Sequence, residues 1–189
     1  MFMSVCAFSI MDLIVKWSDS YPLGQVIFFR GFFGVLLYFL IMPRDRIKNF
    51  YYTKRPGLHF LRCFFGLIAL LAIFTALRNL PLATVVSISF AAPIFTTILS
   101  IFLLSEKVGL FRWLAVIVGF VGIIIITEPG FTSLNIYFIY PVIFCLGMSY
   151  VAITIRQLST SEPVWLISLY FSATITLASF FTIPYGWIM

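Results

Sequence analysis

Charged side chains are scarce in this sequence of 189 residues: they make up 10% of it, whereas hydrophobic residues make up 62%. Soluble domains are about a quarter charged and about half apolar. A water-soluble fold of this length cannot bury so much apolar surface. The composition therefore excludes an ordinary soluble domain, and we expect the lipid bilayer to be the main partner of this chain.

The sequence also lacks the motifs that mark catalytic and cofactor sites. It has no GxGxxG, Walker, HExxH or GxSxG pattern and no paired His, Cys and Asp cluster. The three cysteines lie singly within apolar blocks, which favours packing over redox or metal binding. We predict that the protein is not an enzyme, binds no cofactor or metal, and is not an ATP-driven pump. Any transport would then use an ion gradient or an exchange of solutes.

Apolar blocks long enough to cross a bilayer, which takes about 20 residues, recur along the whole chain. Most of their ends carry a proline, where a missing backbone N–H is tolerated. The blocks are continuously apolar rather than alternating, which argues against β-hairpins. We therefore predict an all-α polytopic membrane protein with seven helical blocks, at 1–17, 22–43, 57–78, 83–105, 109–127, 134–155 and 163–183.

Basic residues are distributed unevenly between the two sides that these blocks define. The net charge is +6, and the 44–56 loop alone holds five basic residues. Lys107, Arg112 and Arg156 fall on the same side if the blocks alternate, whereas the opposite side has Arg78 and Lys16. Basic loops are cytoplasmic in membrane proteins. We predict a multi-pass inner-membrane protein with a cytoplasmic N-terminus, and no nucleic-acid partner, because these charges do not gather on one wet face.

A weak internal repeat links the start of the chain to its last third. The segment "CAFSIMDLIVKWSDSYP" opens the first copy, and "CLGMSYVAITIRQLSTSEP" begins at Cys145. Pro22 and Pro43 are matched by Pro163 and Pro184, each 141 positions later. Five blocks separate the two starts, so the second copy enters the membrane from the opposite face. This predicts an inverted repeat, as in many secondary transporters; chance similarity between two apolar hairpins is the alternative.

The run from 77 to 130 carries a family resemblance. It contains a small and hydroxyl-rich helix with an inner proline, "SFAAPIF", then "SEK", an arginine, and the glycine-bearing "GFVGIII". With "QVIFFRGFFG" in the second block, the chain resembles the EamA-domain branch of the drug/metabolite transporter superfamily. The second and third blocks look like a subgroup that includes S-adenosylmethionine carriers.

That resemblance implies ten helices in two inverted five-helix repeats. Residues 1–130 would form one complete repeat, and residues 131–189 would begin the second. The implied function is secondary transport of a small polar metabolite by alternating access. The alternative is a fragment or assembly subunit without transport of its own, and a transporting chain would need a second copy or another chain to complete the bundle.

Two ionisable residues are expected deep in the membrane. Arg30 lies eight residues past Pro22, about 12 Å into its helix at 1.5 Å per residue. Asp12 lies five residues before Trp17, about 8 Å from the end of the first block, which is the membrane face where the second block begins. Because intramembrane charges are paired or functional, we predict that Asp12 and Arg30 pair. The pair would either serve substrate binding or proton coupling, or fix the register of a helical hairpin.

Three further ionisable residues are predicted at interfaces. Lys16 would pair with Asp12 or extend to the outer headgroups, and Arg62 would extend to the cytoplasmic headgroups. Contact with the substrate is the alternative for Arg62. Glu106 lies at the predicted cytoplasmic end of the fourth block, and the family resemblance implies a gating or capping role for it.

Hydroxyl groups form a stripe along the fourth block. The stripe consists of Ser89, Pro93, Thr96, Thr97 and Ser100. Pro93 cannot donate to the Ser89 carbonyl, and interrupted helices often mark transporter binding sites. We therefore predict that the stripe lines the substrate pathway; the alternative is that the hydroxyls bond to their own helix.

Stripes of small residues predict close helix packing in two other blocks. One consists of Ala115, Gly119 and Gly122, and the other of Ser168, Ser172, Thr176 and Ser179.

Overall fold

A computed structural model describes residues 2–18, 20–41, 53–104, 109–127, 136–185 and 187. Every regular element in these ranges is helical, which confirms the predicted all-α membrane fold. The α-helices are α1 (Phe2–Trp17), α2 (Leu23–Ile41), α3 (Pro56–Asn79), α4 (Leu82–Ser89), α5 (Ala92–Leu104), α6 (Leu110–Thr127), α7 (Ile139–Leu158) and α8 (Val164–Phe180). Short 3-10 turns at Ile136–Phe138 and Ile183–Tyr185 flank the last two helices.

Among the described residues, four segments are long and apolar enough to cross a membrane: Leu23–Leu40, Pro56–Asn79, Leu82–Leu104 and Ile136–Leu158. The last helix, Val164–Phe180, is apolar but has only 17 residues. At 1.5 Å per residue it is about 26 Å long, slightly less than a hydrocarbon core of about 30 Å. Each of the seven predicted blocks thus contains helix.

The fourth block differs from the prediction because it forms two helices rather than one. The α-helical run ends at Ser89, a turn occupies Phe90 and Ala91, and α5 begins at Ala92. Pro93 explains this break, since a proline ring clashes with the carbonyl four residues earlier and supplies no donor to it.

Small residues allow α2 and α8 to pack closely. A Cβ added at Gly31 would lie 2.8 Å from Ile175 Cγ1 and 3.0 Å from the Thr176 backbone nitrogen. Gly34 lies against Ser172 in the same way. Because the α8 partner number falls as the α2 number rises, the two helices run antiparallel. The small-residue stripe predicted for α8 therefore packs against another helix, as expected.

The chain forms two compact units by internal contacts. The first unit comprises Met1–Trp17 with Ile68–Ile153, and the second comprises Ser18–Leu67 with Thr154–Met189. In the first unit α6 packs against α4 and α5. Gly119 would place a Cβ 3.5 Å from Ile94, but Gly122 has nothing within 4 Å, so the predicted close approach along α6 is wrong at Gly122. These units group segments by contact, and the division into repeats at 1–130 and 131–189 stays a prediction.

The close approach of α2 and α8 predicts the effect of adding a side chain at Gly31. Gly31→Leu would overlap the α8 backbone, and we expect it to destabilise the protein by about 1–3 kcal/mol, as overpacked cores do. Thermal unfolding of the purified protein in detergent measures this loss. Gly122→Leu is the control, because its side chain would enter open space. Equal melting temperatures for the two variants would contradict the α2–α8 contact.

Candidate functional site

The break between α4 and α5 exposes backbone carbonyls, and α7 supplies groups that cover them. The Cys145 thiol donates to the Ile88 carbonyl at 3.3 Å and lies 3.8 Å from the Ser89 carbonyl. Ser149 Oγ lies 2.9 Å from the Ala92 carbonyl and 2.6 Å from the carbonyl of Cys145. Sequence reasoning left the Ser89 carbonyl free for a cavity. The structure instead places a buried thiol of α7 beside it.

The hydroxyl groups of the predicted stripe donate within their own helices. Ser89 Oγ donates to the Val85 carbonyl at 2.7 Å. Thr96 Oγ1 and Thr97 Oγ1 donate to the carbonyls of Ala92 and Pro93 at 2.8 and 3.0 Å. These bonds satisfy each hydroxyl hydrogen but leave oxygen lone pairs that can accept from a solute. Pathway lining by Ser89, Pro93, Thr96 and Thr97 therefore stays a prediction.

Lys16 forms a helix-end contact. Its Nζ donates to the Leu80 carbonyl at 3.1 Å, directly after the end of α3 at Asn79. The last carbonyls of a helix carry partial negative charge and accept from cations. Lys16 thus caps the C-terminus of α3, a partner that sequence reasoning did not anticipate.

The remaining predicted residues have less defined surroundings. Asp12 and Arg30 are half-buried in α1 and α2, and each interacts with other groups. Their mutual pairing stays a prediction. Glu106 lies outside the described residues, as do the first residues of the basic 44–56 loop.

A buried carboxylate at the start of α3 was missed by sequence reasoning. Glu162 is only 7% exposed, and its Oε1 accepts from the Thr53 hydroxyl and from the backbone N–H groups of Lys54 at 2.8 Å and Arg55 at 3.3 Å. Its Oε2 is bonded to His59 Nε2. The carboxylate thus lies at the positive end of the α3 dipole, where an anion is stabilising.

These contacts set the protonation state of Glu162. Burial acts to raise its pKa, but the hydrogen bonds from Thr53, His59 and the Lys54 backbone, together with the attraction of His59, lower the pKa below 4.5. An ionised carboxylate only accepts hydrogen bonds, so His59 Nε2 must carry the hydrogen in this contact.

Arg62 lies one turn further along α3 and contradicts the expectation that it extends to the headgroups. Its side chain is only 8% exposed, and its guanidinium carbon lies 4.0 Å from the centre of the Phe171 ring. The Nε and Nη1 atoms are buried and have no hydrogen-bond partner among the described residues. A buried charge with unsatisfied donors either destabilises the folded protein or is satisfied by a ligand.

An apolar groove lies beside this region, between α3 and α8. It has a volume of about 430 Å³. The groove is lined by Thr53, Pro56, His59, Phe60, Cys63, Phe64, Leu67, Tyr170 and Thr174.

Comparison with known families identifies the chain. Residues 1–128 match the model of the EamA-like transporter family. The chain belongs to this family. The match includes α1 to α6, and therefore the interrupted helix.

Relatives of this EamA-like protein are membrane transporters. The chain is 31% identical over 180 residues to the S-adenosylmethionine uptake transporter of Rickettsia prowazekii, which covers 92% of this chain and 59% of that protein. It is 34% identical over 157 residues to the protein of that name from Rickettsia bellii, with 80% and 52% covered. It is 28% identical over 184 residues to the pseudopaline exporter CntI of Pseudomonas aeruginosa, with 95% and 62% covered.

The chain therefore spans about three fifths of the length of the curated relatives that it matches. No solved structure matches it significantly.

The Glu162 contacts predict a loss of stability in Glu162→Gln. The amide would present N–H groups to a site built from donors, so we expect a loss of about 2 kcal/mol, typical for hydrogen bonds to a charged group. Denaturant titration in detergent measures this change. Ser161→Ala, which removes a hydroxyl bonded to the Leu158 carbonyl at the end of α7, is the neighbouring control and should have little effect.

The lowered pKa of Glu162 also gives a pH dependence. Its stabilisation is present above the ordinary pKa of 4.5 and is lost as pH falls through the lower pKa of the folded protein. Wild-type stability should therefore decline below pH 4.5 more steeply than that of Glu162→Gln. Parallel curves for the two proteins would contradict this assignment.

The predicted pairing of Asp12 with Arg30 is tested by exchanging the charges. Asp12→Arg and Arg30→Asp should each leave a charge unpaired in the membrane and reduce the amount of inserted protein, because such charges are costly. The double variant should restore insertion, measured as protein recovered from membranes. If the exchange fails to recover it, the two residues do not pair.

Proposed function

We propose that this EamA-like protein is part of a secondary transporter that moves a small polar metabolite across the inner membrane by alternating access. The observation that carries this proposal is the interrupted helix α4–α5 within a chain of a transporter family. Interrupted helices present backbone polar groups inside the membrane, where they bind substrates in many transporters. Ser89 ends α4, Thr96 and Thr97 lie early in α5, and their hydroxyl oxygens can still accept hydrogen bonds from a solute.

The packing of α2 and α8 supports the inverted-repeat arrangement. The predicted repeat relates residues 141 positions apart. Under this shift Gly31 of α2 corresponds to Ser172 of α8, and Ile175 of α8 corresponds to Gly34 of α2. The contact of Gly31 with Ile175 therefore corresponds to a contact of Ser172 with Gly34, which the structure also contains. A two-fold relation between the helices would produce this exchange, and two such halves rocking against each other is the usual basis of alternating access.

Within each unit, residues that are bonded to each other fall on the same predicted side of the membrane, as alternating blocks require. Thr53 and Glu162 are bonded across two connectors that the charge pattern assigns to the cytoplasm. Lys16 and Leu80 are bonded at the ends assigned to the outside. We propose a cytoplasmic N-terminus on this basis.

The substrate that we propose is S-adenosylmethionine or a solute of similar size and polarity. The support is the name shared by relatives from Rickettsia prowazekii and Rickettsia bellii, at 31% and 34% identity. The pseudopaline exporter shows that similar chains also carry other cargo outward.

An assembly subunit without transport of its own is the second candidate. The stretch that matches covers 59% of the Rickettsia prowazekii transporter, and this candidate holds that the stretch alone does not transport. Light scattering and cross-linking in detergent distinguish a monomer from an assembly of several chains.

Uptake of radiolabelled S-adenosylmethionine tests the proposed pathway in bacterial cells that lack their own uptake system. If the break lines the pathway, Thr96→Leu and Ser89→Leu should reduce uptake at least tenfold while leaving the amount of inserted protein unchanged. Thr75→Leu is the matched control, because this threonine also bonds within its own helix but lies in α3. Unchanged uptake in both pathway variants would remove these residues from the pathway. No uptake by the unmodified chain, with a monomer in detergent, would favour the candidate without transport of its own.

A further inference from the structure

We propose that Arg62 binds the carboxylate group of a zwitterionic or anionic solute. This inference rests on the proposed function, because it assigns a recognition residue for the transported solute. Arg62 lies in α3, outside the interrupted helix, and is more than nine-tenths buried.

No acidic side chain in the described part of its unit neutralises Arg62. Glu162 is the one carboxylate among the described residues of that unit, and it is already bonded to Thr53, His59 and two backbone N–H groups. Buried charges without a partner are rare in membrane proteins and usually mark sites of function.

The guanidinium of Arg62 is held in one orientation. Phe171 covers one face at 4.0 Å. A Cβ added at Gly66 would lie 2.9 Å from Arg62 Nη1 and 2.7 Å from Phe171 Cε2. The stacked pair therefore depends on the missing side chain at Gly66. Such stacking positions the planar donor group before a ligand arrives and reduces the entropy lost on binding.

The donors of Arg62 that lack a partner determine the kind of ligand that it can bind. A guanidinium binds carboxylates in two parallel hydrogen bonds along either of its edges. Nε belongs to one of these edges and Nη1 to the other, and both atoms lack a partner among the described residues. Because arginine offers only donors, the complementary group is an anionic oxygen. We commit to a carboxylate, since a fork of two N–H groups matches its planar geometry.

Burial at 8% exposure means that the donors are covered in this conformation. Alternating access requires a binding group to be covered in one state and reached in another. Arg62 thus fits a site that opens during the transport cycle.

The test compares two probes that differ in the carboxylate. The purified chain in phosphatidylcholine nanodiscs is titrated calorimetrically with S-adenosylmethionine and with its decarboxylated form. We expect Arg62→Gln to weaken binding of S-adenosylmethionine at least tenfold and to change binding of the decarboxylated form less than twofold. Arg156→Gln, which removes an exposed arginine, should change neither. Equal effects on both probes, or wild-type protein that binds no carboxylate probe, would overturn the proposal.

Two glycine variants test the positioning of the guanidinium without removing it. Gly66→Ala should displace the stacked pair and reproduce the selective loss for the carboxylate probe. Gly57→Ala lies in the same helix with nothing within 4 Å of its Cβ and should bind as wild type. Selective loss in Gly66→Ala with normal binding in Gly57→Ala supports the proposed geometry, and normal binding in both contradicts it.

Stability without ligand separates a binding role from a structural one. If Arg62 awaits a ligand, Arg62→Met should unfold at the same temperature as wild type or higher, because an unsatisfied buried charge is removed. If another chain or a lipid phosphate neutralises it, Arg62→Met should unfold at a lower temperature. Added phosphatidylglycerol identifies the lipid case when it stabilises wild type but not Arg62→Met. Either result overturns the proposal.

The outcome is independent of the uptake experiment. Selective loss of carboxylate binding with no uptake would support Arg62 and refute transport by this chain. Normal uptake with unchanged binding in Arg62→Gln would do the reverse.

Discussion

The backbone N–H and C=O groups at helix ends have no partner within their own helix, and much of this structure follows from the need to satisfy them. Leaving such a group buried without a hydrogen bond is costly. Helix α3 meets the requirement at both ends with charges of the sign that its dipole favours. The Glu162 carboxylate accepts from N–H groups just before the first turn, and Lys16 donates to the carbonyl of Leu80 after the last turn. Each contact joins α3 to a segment far away in the sequence, so the same bonds also position the neighbouring connectors.

The break between α4 and α5 is a second instance of the same requirement. Pro93 forces the chain out of helical bonding, and a bilayer would not tolerate the exposed carbonyls. The small polar groups of α7 solve this locally, with Cys145 and Ser149 both fully buried against the break. A transport site at this position would therefore be formed by two partners: the interrupted helix and the helix that covers its carbonyls.

The helices could be predicted from the sequence because they depend on local properties. Apolar runs of sufficient length and flanking prolines locate all seven blocks. Pro93 indicates the break in the fourth block, although that block was predicted as one continuous helix. The small residues of α8 similarly predicted a packing face, which Ser172 and Thr176 confirm. At Gly122 the same reasoning failed, since a glycine provides space for a neighbour but does not supply one.

The polar contacts could not be predicted, because their partners are separated by 56 to 109 residues in the chain. Glu162 looked like an ordinary connector residue, and its role depends on where the start of α3 lies in three dimensions. A usable signal did exist: the charge pattern assigned the connectors that carry Thr53 and Glu162 to the same side of the membrane. A lone acidic residue there, opposite a helix start with an early histidine, is a reasonable candidate for a helix cap.

The helix-end contacts and the candidate recognition group serve different physical purposes, and this separation bears on how one fold can carry different cargo. Lys16, Glu162 and Ser149 bond to backbone atoms, which every sequence of this fold presents in the same places. Their role therefore does not depend on the solute. Arg62 stacks on an aromatic ring, and donors along the edges of its guanidinium have no partner among the described residues. Because a solute would supply those partners, the interactions of Arg62 would change with the solute that is bound. Relatives are named for uptake of S-adenosylmethionine and for export of pseudopaline. If Arg62 binds solute as we propose, contacts to the backbone would preserve the scaffold of this chain while side chains such as Arg62 would determine what binds.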